Sequence, residues 1–425
     1  MVVVPKMRKN YFSLILRSLK FLGISFDEIE NPHLSMLYTV YSFTFLVTCI
    51  YYYIFAEFVD LLMHYGDFDY MTFNLCYLVT QGTGMLKGTL LLLNRKSIKR
   101  YCDKLESGHL LPNFDRGGIS EFKHIQKAIK ICNFQAVVFY TFVIIIVANR
   151  AIYAAIDQSI SYSRDNVTNE TTTLITRILP YPIYLPFDTQ IYYKTAFVYQ
   201  VYSCTLFGIY IGACDALITG IMVHIKAQIL ILKNSLGNIT ERAIALYEKE
   251  NHTLSRTLGV LEKIPPNIQK YVTMVTRDTV QHHQVIIALT DEAEIQFSIV
   301  MLAQFLGSLM LMCLQLYQLS LYDINSPKFF SMVSYLFLML FQLLIYCWNG
   351  NELSIESLKV ADEVYSSNWI VFDNDTKKSL MSMMRRAQKP IRLSAGKFAY
   401  LSLETYTTIL RGSASYYLAL RRINE

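Results

Sequence analysis

Residues 401–425 read LSLETYTTILRGSASYYLALRRINE, and this last stretch decides how the rest of the chain is interpreted. In a helix, residues three and four positions apart lie on the same face. One face of this helix would be small and mostly hydroxylic, formed by Leu401, Thr405, Thr408, Gly412, Ser415 and Ala419. Such a face suits close helix packing or the wall of a narrow water-filled path, and the spacing leaves both alternatives open.

The composition of the chain is that of a membrane protein with several spans. Of its 425 residues, 53% are hydrophobic and 17% are charged, and apolar blocks alternate with charged segments. This layout is typical of a polytopic membrane protein and argues against two or three soluble domains. No residues have the spacing of a catalytic, metal-binding or cofactor-binding motif. We therefore predict an all-α membrane protein that is not an enzyme, needs no cofactor and binds no nucleic acid.

Seven segments are predicted to cross the membrane, because a transmembrane helix needs about 20 mostly apolar residues. The C-terminal stretch is the least hydrophobic of the seven. The predicted spans are residues 35–56, 70–94, 131–149, 195–223, 295–322 and 329–351, followed by the helix that begins near residue 401.

Two of the predicted spans contain an isolated charge, Lys87 in the second and Asp215 in the fourth. A lysine side chain can extend along a helix to the membrane surface, so we expect Lys87 to point toward Arg95. A lone aspartate costs roughly 2.5 to 3.5 kcal/mol at mid-bilayer on insertion scales, so Asp215 is expected to face protein. Lys87 and a partner subunit are the two candidate counter-charges, and structural pairing is favoured over a proton relay.

The distribution of basic residues predicts how the spans are oriented. Lysine and arginine are concentrated before the first span and after the second and fourth, whereas the segment after the first span has acidic residues and no basic ones. The N-terminus is therefore predicted to be cytoplasmic and the C-terminus extracellular. The sequons at Asn166 and Asn169 then lie in an outer loop and are candidates for glycosylation.

The outer halves of spans two, three, four and six share aromatic residues and a few hydroxyl groups. Such side chains suit a pocket for a small, mostly apolar ligand, but composition alone favours an ordinary bundle core. The candidate ligand-binding residues are Phe73, Tyr77, Thr80, Phe139, Phe142, Ile146, Arg150, Tyr153, Phe197, Tyr202, Thr205, Met332, Tyr335 and Leu336.

Several motifs in the last third of the chain occur in an order that resembles insect odorant receptors. The match is dense over residues 291–420 and mainly topological before them, although residues 179–188 resemble the outer loop of that family. The motifs are YCWNGNEL (346–353), SNW (367–369), RAQKP (386–390), AGKF (395–398) and LSLETY (401–406).

The resemblance implies a heterotetramer with a shared co-receptor in the lipid of the plasma membrane of olfactory sensory neurons. It implies a non-selective channel for cations that a small volatile odorant opens, and it favours the ligand pocket over the plain core. In that family the last half-helix lines the pore, which has a constriction near its outer end. The candidate pore residues here are Thr408, Gly412, Ser415, Ala419, Leu420 and Arg422.

Two departures from the co-receptor of that family indicate an odorant-tuning subunit. The inner loop before span five is compact, and Ala419 occupies the place of a bulkier residue. The alternatives are a seven-helix receptor coupled to G proteins and a gustatory receptor. The chain lacks the Asp-Arg-Tyr and Asn-Pro-x-x-Tyr motifs of the former, and Gly412-Ser413 replaces the Gln-Phe pair of the latter.

These inferences divide the chain into six predicted regions. Apolar residues also recur at helical spacing over 225–232 and 268–294, so the fourth and fifth helices are expected to continue beyond the membrane. The regions are a cytoplasmic arm (1–33), spans one to four with an outer ligand pocket (34–223), cytoplasmic helical extensions that form an anchor (224–294), spans five and six (295–351), a cytoplasmic anchor segment with the first half of helix seven (352–400), and a pore-lining half-helix with an extracellular C-terminus (401–425).

Overall fold

The computed structural model describes residues 10–156, 158–164, 171–251 and 265–424, and helices make up most of these ranges. The α-helices are α1 (Ser13–Phe21), α2 (Pro32–Phe45), α3 (Tyr52–Met63), α4 (Phe68–Leu93), α5 (Arg95–Leu105), α6 (Phe114–Ile156), α7 (Tyr193–Gly237), α8 (Ile239–Asn251), α9 (Pro266–Leu321), α10 (Pro327–Ser366), α11 (Asn374–Ala387) and α12 (Leu403–Asn424). The predicted all-α fold class is confirmed.

Shorter elements connect these helices. A π-helical turn joins α2 to α3, and two antiparallel hairpins and two 3-10 turns lie in connecting segments. They are the π-helical turn Leu46–Tyr51, the 3-10 turns Gly108–Leu110 and Trp369–Val371, the hairpin of β1 (Gln158–Arg164) with β2 (Thr171–Arg177), and the hairpin of β3 (Ser394–Ala395) with β4 (Ala399–Tyr400).

Within the described ranges, five helical segments are long and apolar enough to cross a membrane, and they contain predicted spans one, three, four, five and six. At about 1.5 Å per residue, a helix of 56 residues such as α9 extends about 84 Å, far beyond a hydrocarbon core of roughly 30 Å. Continuous helix over 225–232 and 268–294 agrees with the periodicity of those residues. The five segments are Pro32–Met63, Arg116–Ile156, Tyr193–Gly237, Pro266–Leu321 and Pro327–Ser366.

The second and seventh predicted spans, α4 and α12, form continuous helices whose most apolar stretches are less hydrophobic than those of the other five. α4 buries Asn74, Gln81 and Lys87, so its modest hydropathy reflects polar contacts inside the protein rather than exposure to water. With 26 and 22 residues, both helices are long enough to cross a core of roughly 30 Å.

Two segments that were predicted to be connections between spans contain helix in the structure. The third helix extends well before residue 131, as far as a kink at Gly118 within α6, and the connection after the second span contains α5. Hydropathy locates only the apolar part of a helix, because charged residues in the remainder face water. In α5 the apolar residues Ile98 and Leu105 are buried on one side, a helical periodicity that an average over the whole segment conceals.

A buried ion pair joins α4 to α7. The Lys87 Nζ atom lies 2.5 Å from Asp215 Oδ1, and the two residues are 0% and 5% exposed. Asp215 also accepts hydrogen bonds from the Tyr346 hydroxyl at 2.7 Å and from Gln342 Nε2 at 2.5 Å, both on α10. The Gln342 side chain in turn accepts one from Gln304 Nε2 of α9 at 3.2 Å. Four helices therefore meet around one carboxylate.

This pairing shows that the expected extension of Lys87 toward Arg95 was wrong. The lysine lies six residues before the last residue of α4, about 9 Å along the helix axis, whereas the Asp215 carboxylate is within direct reach. A buried ammonium group also needs a partner that compensates for its lost hydration, and a fixed carboxylate provides one. Of the two candidate counter-charges of Asp215, the described chain itself supplies Lys87.

Glycines let α4 and α6 approach α7 closely. A Cβ atom at Gly88 of α4 would lie 1.6 Å from the hydroxyl oxygen of Tyr210, and one at Gly212 of α7 would lie 2.3 Å from the ring of Phe139. A larger residue at either place would force the Tyr210 or the Phe139 side chain to move. Gly84 and Gly88 are four residues apart, the spacing that brings helices together in membrane proteins.

We predict that Lys87→Met lowers the free energy of unfolding by about 3–5 kcal/mol, because it leaves the Asp215 carboxylate buried without its counter-charge. The double variant Lys87→Met/Asp215→Leu is expected to recover more than half of this loss, since no buried charge remains. Chemical unfolding of the detergent-purified protein measures both values. Lys96→Met, at an exposed position, is the control. A double variant no more stable than the single one would contradict the coupling of the pair.

Candidate functional site

A cavity lies among α4, α6, α7 and α10. Its volume is about 70 Å³. Apolar and aromatic side chains form most of its wall, and a few polar groups are placed among them, as in sites for small molecules. The lining residues are Tyr77, Thr80, Gln81, Phe139, Val143, Ile146, Val147, Arg150, Tyr181, Cys204, Phe207, Gly208, Ile211, Ser331, Tyr335, Leu338 and Met339.

Phe139 and Arg150 mark two ends of the cavity along α6. Phe139 lines both the cavity and the small space around the Asp215 carboxylate, so it lies at the end nearest that carboxylate. Arg150 follows Phe139 by eleven residues on α6, about 16 Å along the helix axis. The cavity therefore has an apolar floor near Phe139 and a polar end near Arg150 and Ser331.

The loop between β2 and α7 closes the polar end. The Tyr181 N–H group donates to Gln200 Oε1 on α7 at 3.0 Å, which holds the loop against that helix. The Pro180 carbonyl oxygen accepts a hydrogen bond from Arg150 Nε on α6 at 2.7 Å. These two bonds hold the Tyr181 ring over the cavity, where the residue is only 5% exposed.

Three tyrosines form one side of the cavity. Tyr77 stacks on Tyr335 with ring centroids 5.3 Å apart and meets Tyr181 edge-on at 5.4 Å. The Tyr335 hydroxyl oxygen lies 2.5 Å from Thr80 Oγ1 and donates to the Cys76 carbonyl oxygen at 3.1 Å. Because the hydroxyl groups of Tyr335 and Thr80 already bond to each other and to the backbone, they stiffen the wall more than they offer bonds to a ligand.

Comparison with known sequences assigns the chain to a family. The sequence profile of 7tm odorant receptors matches residues 67–414, most of the chain. The chain belongs to the 7tm odorant receptor family.

Individual relatives are distant and align over part of their length. Odorant receptor Or1 of Anopheles gambiae is 26% identical to this receptor over 261 residues, which cover 59% of this chain and 61% of the relative. Odorant receptor 10 of Aedes albopictus is 29% identical over 144 residues, which cover 34% of this chain and 38% of the relative. The receptor thus aligns with about two fifths to three fifths of the length of these relatives.

The fold of the receptor matches that of a solved olfactory receptor over nearly its whole length. Structures of OR5 from Machilis hrabei, alone and in complex with eugenol, superpose on it with TM-scores of 0.74 and 0.75. Each superposition covers 98% of this chain and 100% of OR5, at 14% sequence identity. At this identity the comparison supports the shared fold alone.

The structure brings six of the fourteen predicted ligand-binding residues to the cavity of the receptor. These are Tyr77, Thr80, Phe139, Ile146, Arg150 and Tyr335. The other eight do not line it: Phe73, Phe142, Tyr153, Phe197, Tyr202, Thr205, Met332 and Leu336. Tyr202, for example, is 57% exposed on α7, whereas Met332 is buried.

Several lining residues were not identified from the sequence. On α6, Val143 lies four residues after Phe139, and Val147 lies four residues after Val143. On α10, Leu338 and Met339 lie three and four residues after Tyr335. Helical spacing from the predicted residues that line the cavity was therefore the available signal. Tyr181 had no such signal, because its position depends on hydrogen bonds between a loop and two helices.

Helix α12 packs against α9 on one side and is exposed on the other. Ser413 is 1% exposed and donates to the Leu309 carbonyl oxygen at 3.4 Å. Of the predicted pore residues, Thr408, Ser415 and Ala419 are exposed, Gly412 is half-buried, and Leu420 and Arg422 lie in the last turns of the helix.

One turn of α9 contacts both α4 and α12. At Gly307 an added Cβ atom would lie 2.5 Å from Thr83 Cγ2 of α4, and Leu309 lies against Gly412 of α12. The cavity-forming helix α4 and the exposed helix α12 therefore reach α9 within three residues of each other.

We predict that Leu338→Trp weakens the response to activating odorants about tenfold or more, since an indole fills the apolar floor and overpacking costs roughly 1–3 kcal/mol. Leu336→Trp is the matched control, because Leu336 lies on the same helix outside the cavity. Dose–response curves in cells that display equal amounts of each variant measure the effect. Equal losses in the two variants would contradict the assignment of this cavity.

Proposed function

We propose that the receptor is the odorant-binding, tuning subunit of a heteromeric, ligand-gated, non-selective cation channel that depolarises olfactory sensory neurons. The observation that carries this proposal is the largely apolar cavity among α4, α6, α7 and α10. Burial of apolar ligand surface contributes roughly 25 cal/mol per Å², so a small volatile compound gains affinity there from its size and shape. The likeness of the fold to OR5, which was solved with eugenol, supports a small odorant as the ligand.

The proposed odorant contacts are the cavity-lining residues among those expected from the sequence. Tyr77 and Tyr335 provide a rigid aromatic wall, Phe139 and Ile146 provide apolar surface, and Arg150 provides charge at the polar end. Other expected residues act indirectly, since Phe73 and Tyr153 hold the Arg150 side chain in place.

The proposed pore is lined by the exposed face of α12. Small and hydroxyl-bearing side chains suit a water-filled path, and in this subunit no described residue covers Thr408, Ser415 or Ala419. In a heterotetramer with co-receptor subunits, this face would turn toward the shared axis. Leu420 and Arg422 follow on the same helix, near the proposed outer mouth.

The proposed orientation has a cytoplasmic N-terminus and an extracellular C-terminus in the plasma membrane. It rests on the distribution of basic residues between the spans. Asn166 and Asn169 lie outside the described residues, and their glycosylation stays a prediction.

The test is to record current from cells that express the receptor with an odorant co-receptor in the presence of a G-protein inhibitor. Rapid cation current evoked by volatile compounds, absent from cells with the co-receptor alone, supports the channel subunit. A response that the inhibitor abolishes would favour a receptor coupled to G proteins. Current evoked only by non-volatile tastants would favour a gustatory receptor.

We predict that Ala419→Trp strongly reduces odorant-evoked current without reducing surface expression, because an indole narrows the proposed pore. Tyr417→Trp is the control, since Tyr417 is half-buried on the side of α12 that packs against protein. Current amplitude is normalised to surface biotinylation. Undiminished current in Ala419→Trp would remove the support for α12 as the pore helix.

A further inference from the structure

Arg150 is buried at the polar end of the cavity between two aromatic rings. The residue is 8% exposed, and its guanidinium carbon lies 5.1 Å from the ring centroid of Phe73 and 5.3 Å from that of Tyr153. Its Nε atom donates to the Pro180 carbonyl oxygen at 2.7 Å. The two rings and the carbonyl group together fix the direction of the guanidinium group.

Arg150 differs from the other buried lysine and arginine side chains of the described chain because it has no carboxylate partner there. Buried Lys87 is paired with Asp215, and the buried Arg116 side chain lies 2.7 Å from Glu121. A guanidinium group has five N–H donors, and in the described ranges only the Nε donor of Arg150 has an acceptor. Because a buried charge without partners is costly, the remaining donors are poised for a group that enters the cavity.

The approach to this end of the cavity is also positively charged. A surface groove lined by Tyr153, Lys328 and Ser331 adjoins the cavity at Ser331, which lines both. The Lys328 ammonium group lies 5.9 Å from the centroid of the Tyr153 ring. A ligand that enters through this groove meets Lys328 first and Arg150 second.

We propose that ligands of the receptor carry one oxygen acceptor, a carboxylate or a carbonyl group, that binds Arg150, and an apolar tail that extends toward Phe139. This inference rests on the odorant site proposed above. A carboxylate binds tightest because it matches the fork of the guanidinium group with two charge-assisted hydrogen bonds. A ketone oxygen is a weaker acceptor, and an alkane leaves the donors of Arg150 unpaired.

The test uses the purified receptor in lipid nanodiscs and three six-carbon probes, namely hexanoate, 2-hexanone and hexane. The dependence of the unfolding temperature on probe concentration gives the affinity of each probe without requiring a channel to open. We expect hexanoate to bind about 10- to 100-fold more tightly than hexane, the range that a hydrogen bond to a charged group provides, with 2-hexanone between them.

Arg150→Met is expected to bring the affinity for hexanoate close to that for hexane, because methionine keeps an apolar stem and lacks N–H donors. Arg150→Lys retains the charge without the fork, so hexanoate should keep part of its advantage. Arg177→Met is the matched control. The Arg177 guanidinium carbon lies 5.4 Å from the centroid of the Tyr193 ring, so this arginine also lies over a tyrosine, but it does not line the cavity.

Equal affinities of hexane and hexanoate in the unaltered receptor overturn the inference, even if Arg150→Met fails to fold. The inference is also overturned if neither hexanoate nor 2-hexanone stabilises the receptor. Odorant-evoked current from a hydrocarbon as strong as that from acids and ketones would refute the acceptor requirement and leave the proposed channel intact. Stabilisation by hexanoate without current from any volatile compound would refute the channel subunit and leave the acceptor site intact.

Discussion

The pairing of Lys87 with Asp215 inside an apolar bundle is the interaction on which the arrangement of the helices depends. In surroundings of low dielectric constant, neither charge is stable without a fixed partner, so α4 and α7 are held in one register. Hydrogen bonds from Tyr346 and Gln342 to the same carboxylate extend this constraint to α10. Phe139 lines both the space around Asp215 and the floor of the cavity, so the polar cluster also limits the depth of the cavity.

Hydropathy was enough to locate the five helical segments that are long and apolar enough to cross a membrane, and helical periodicity was enough to predict continuous helix over 225–232 and 268–294. They did not reveal the full length of α6 or the presence of α5, because amphipathic helices in water have no excess of apolar residues. The pairing of Lys87 was also hidden. A lysine near the end of a span can extend to the surface or pair internally, and the choice depends on how two distant helices are rotated toward each other.

The candidate site was predictable to the level of the helix but not of the helix face. Leu336 and Leu338 are similar side chains two positions apart, which places them about 200° apart around the axis, so only one can face a given cavity. The aromatic composition of the helix does not indicate which of the two leucines faces the cavity. Tyr181 was missed for another reason, since its position depends on the hydrogen bond from its N–H group to Gln200 and on the bond from Arg150 to the Pro180 carbonyl oxygen rather than on any local pattern. Arg150 itself was a candidate because it lies in the outer half of span three, although its lack of a carboxylate partner among the described residues became visible only in three dimensions.

The turn of α9 at Gly307 and Leu309 belongs neither to the cavity nor to the exposed face of α12. It nevertheless contacts both α4, which lines the cavity, and α12. In the proposed channel, this turn is the place where α4 and α12 contact a common helix through side chains that do not line the cavity. Substitutions at this turn would change efficacy, the current obtained per bound odorant, while leaving binding affinity nearly constant.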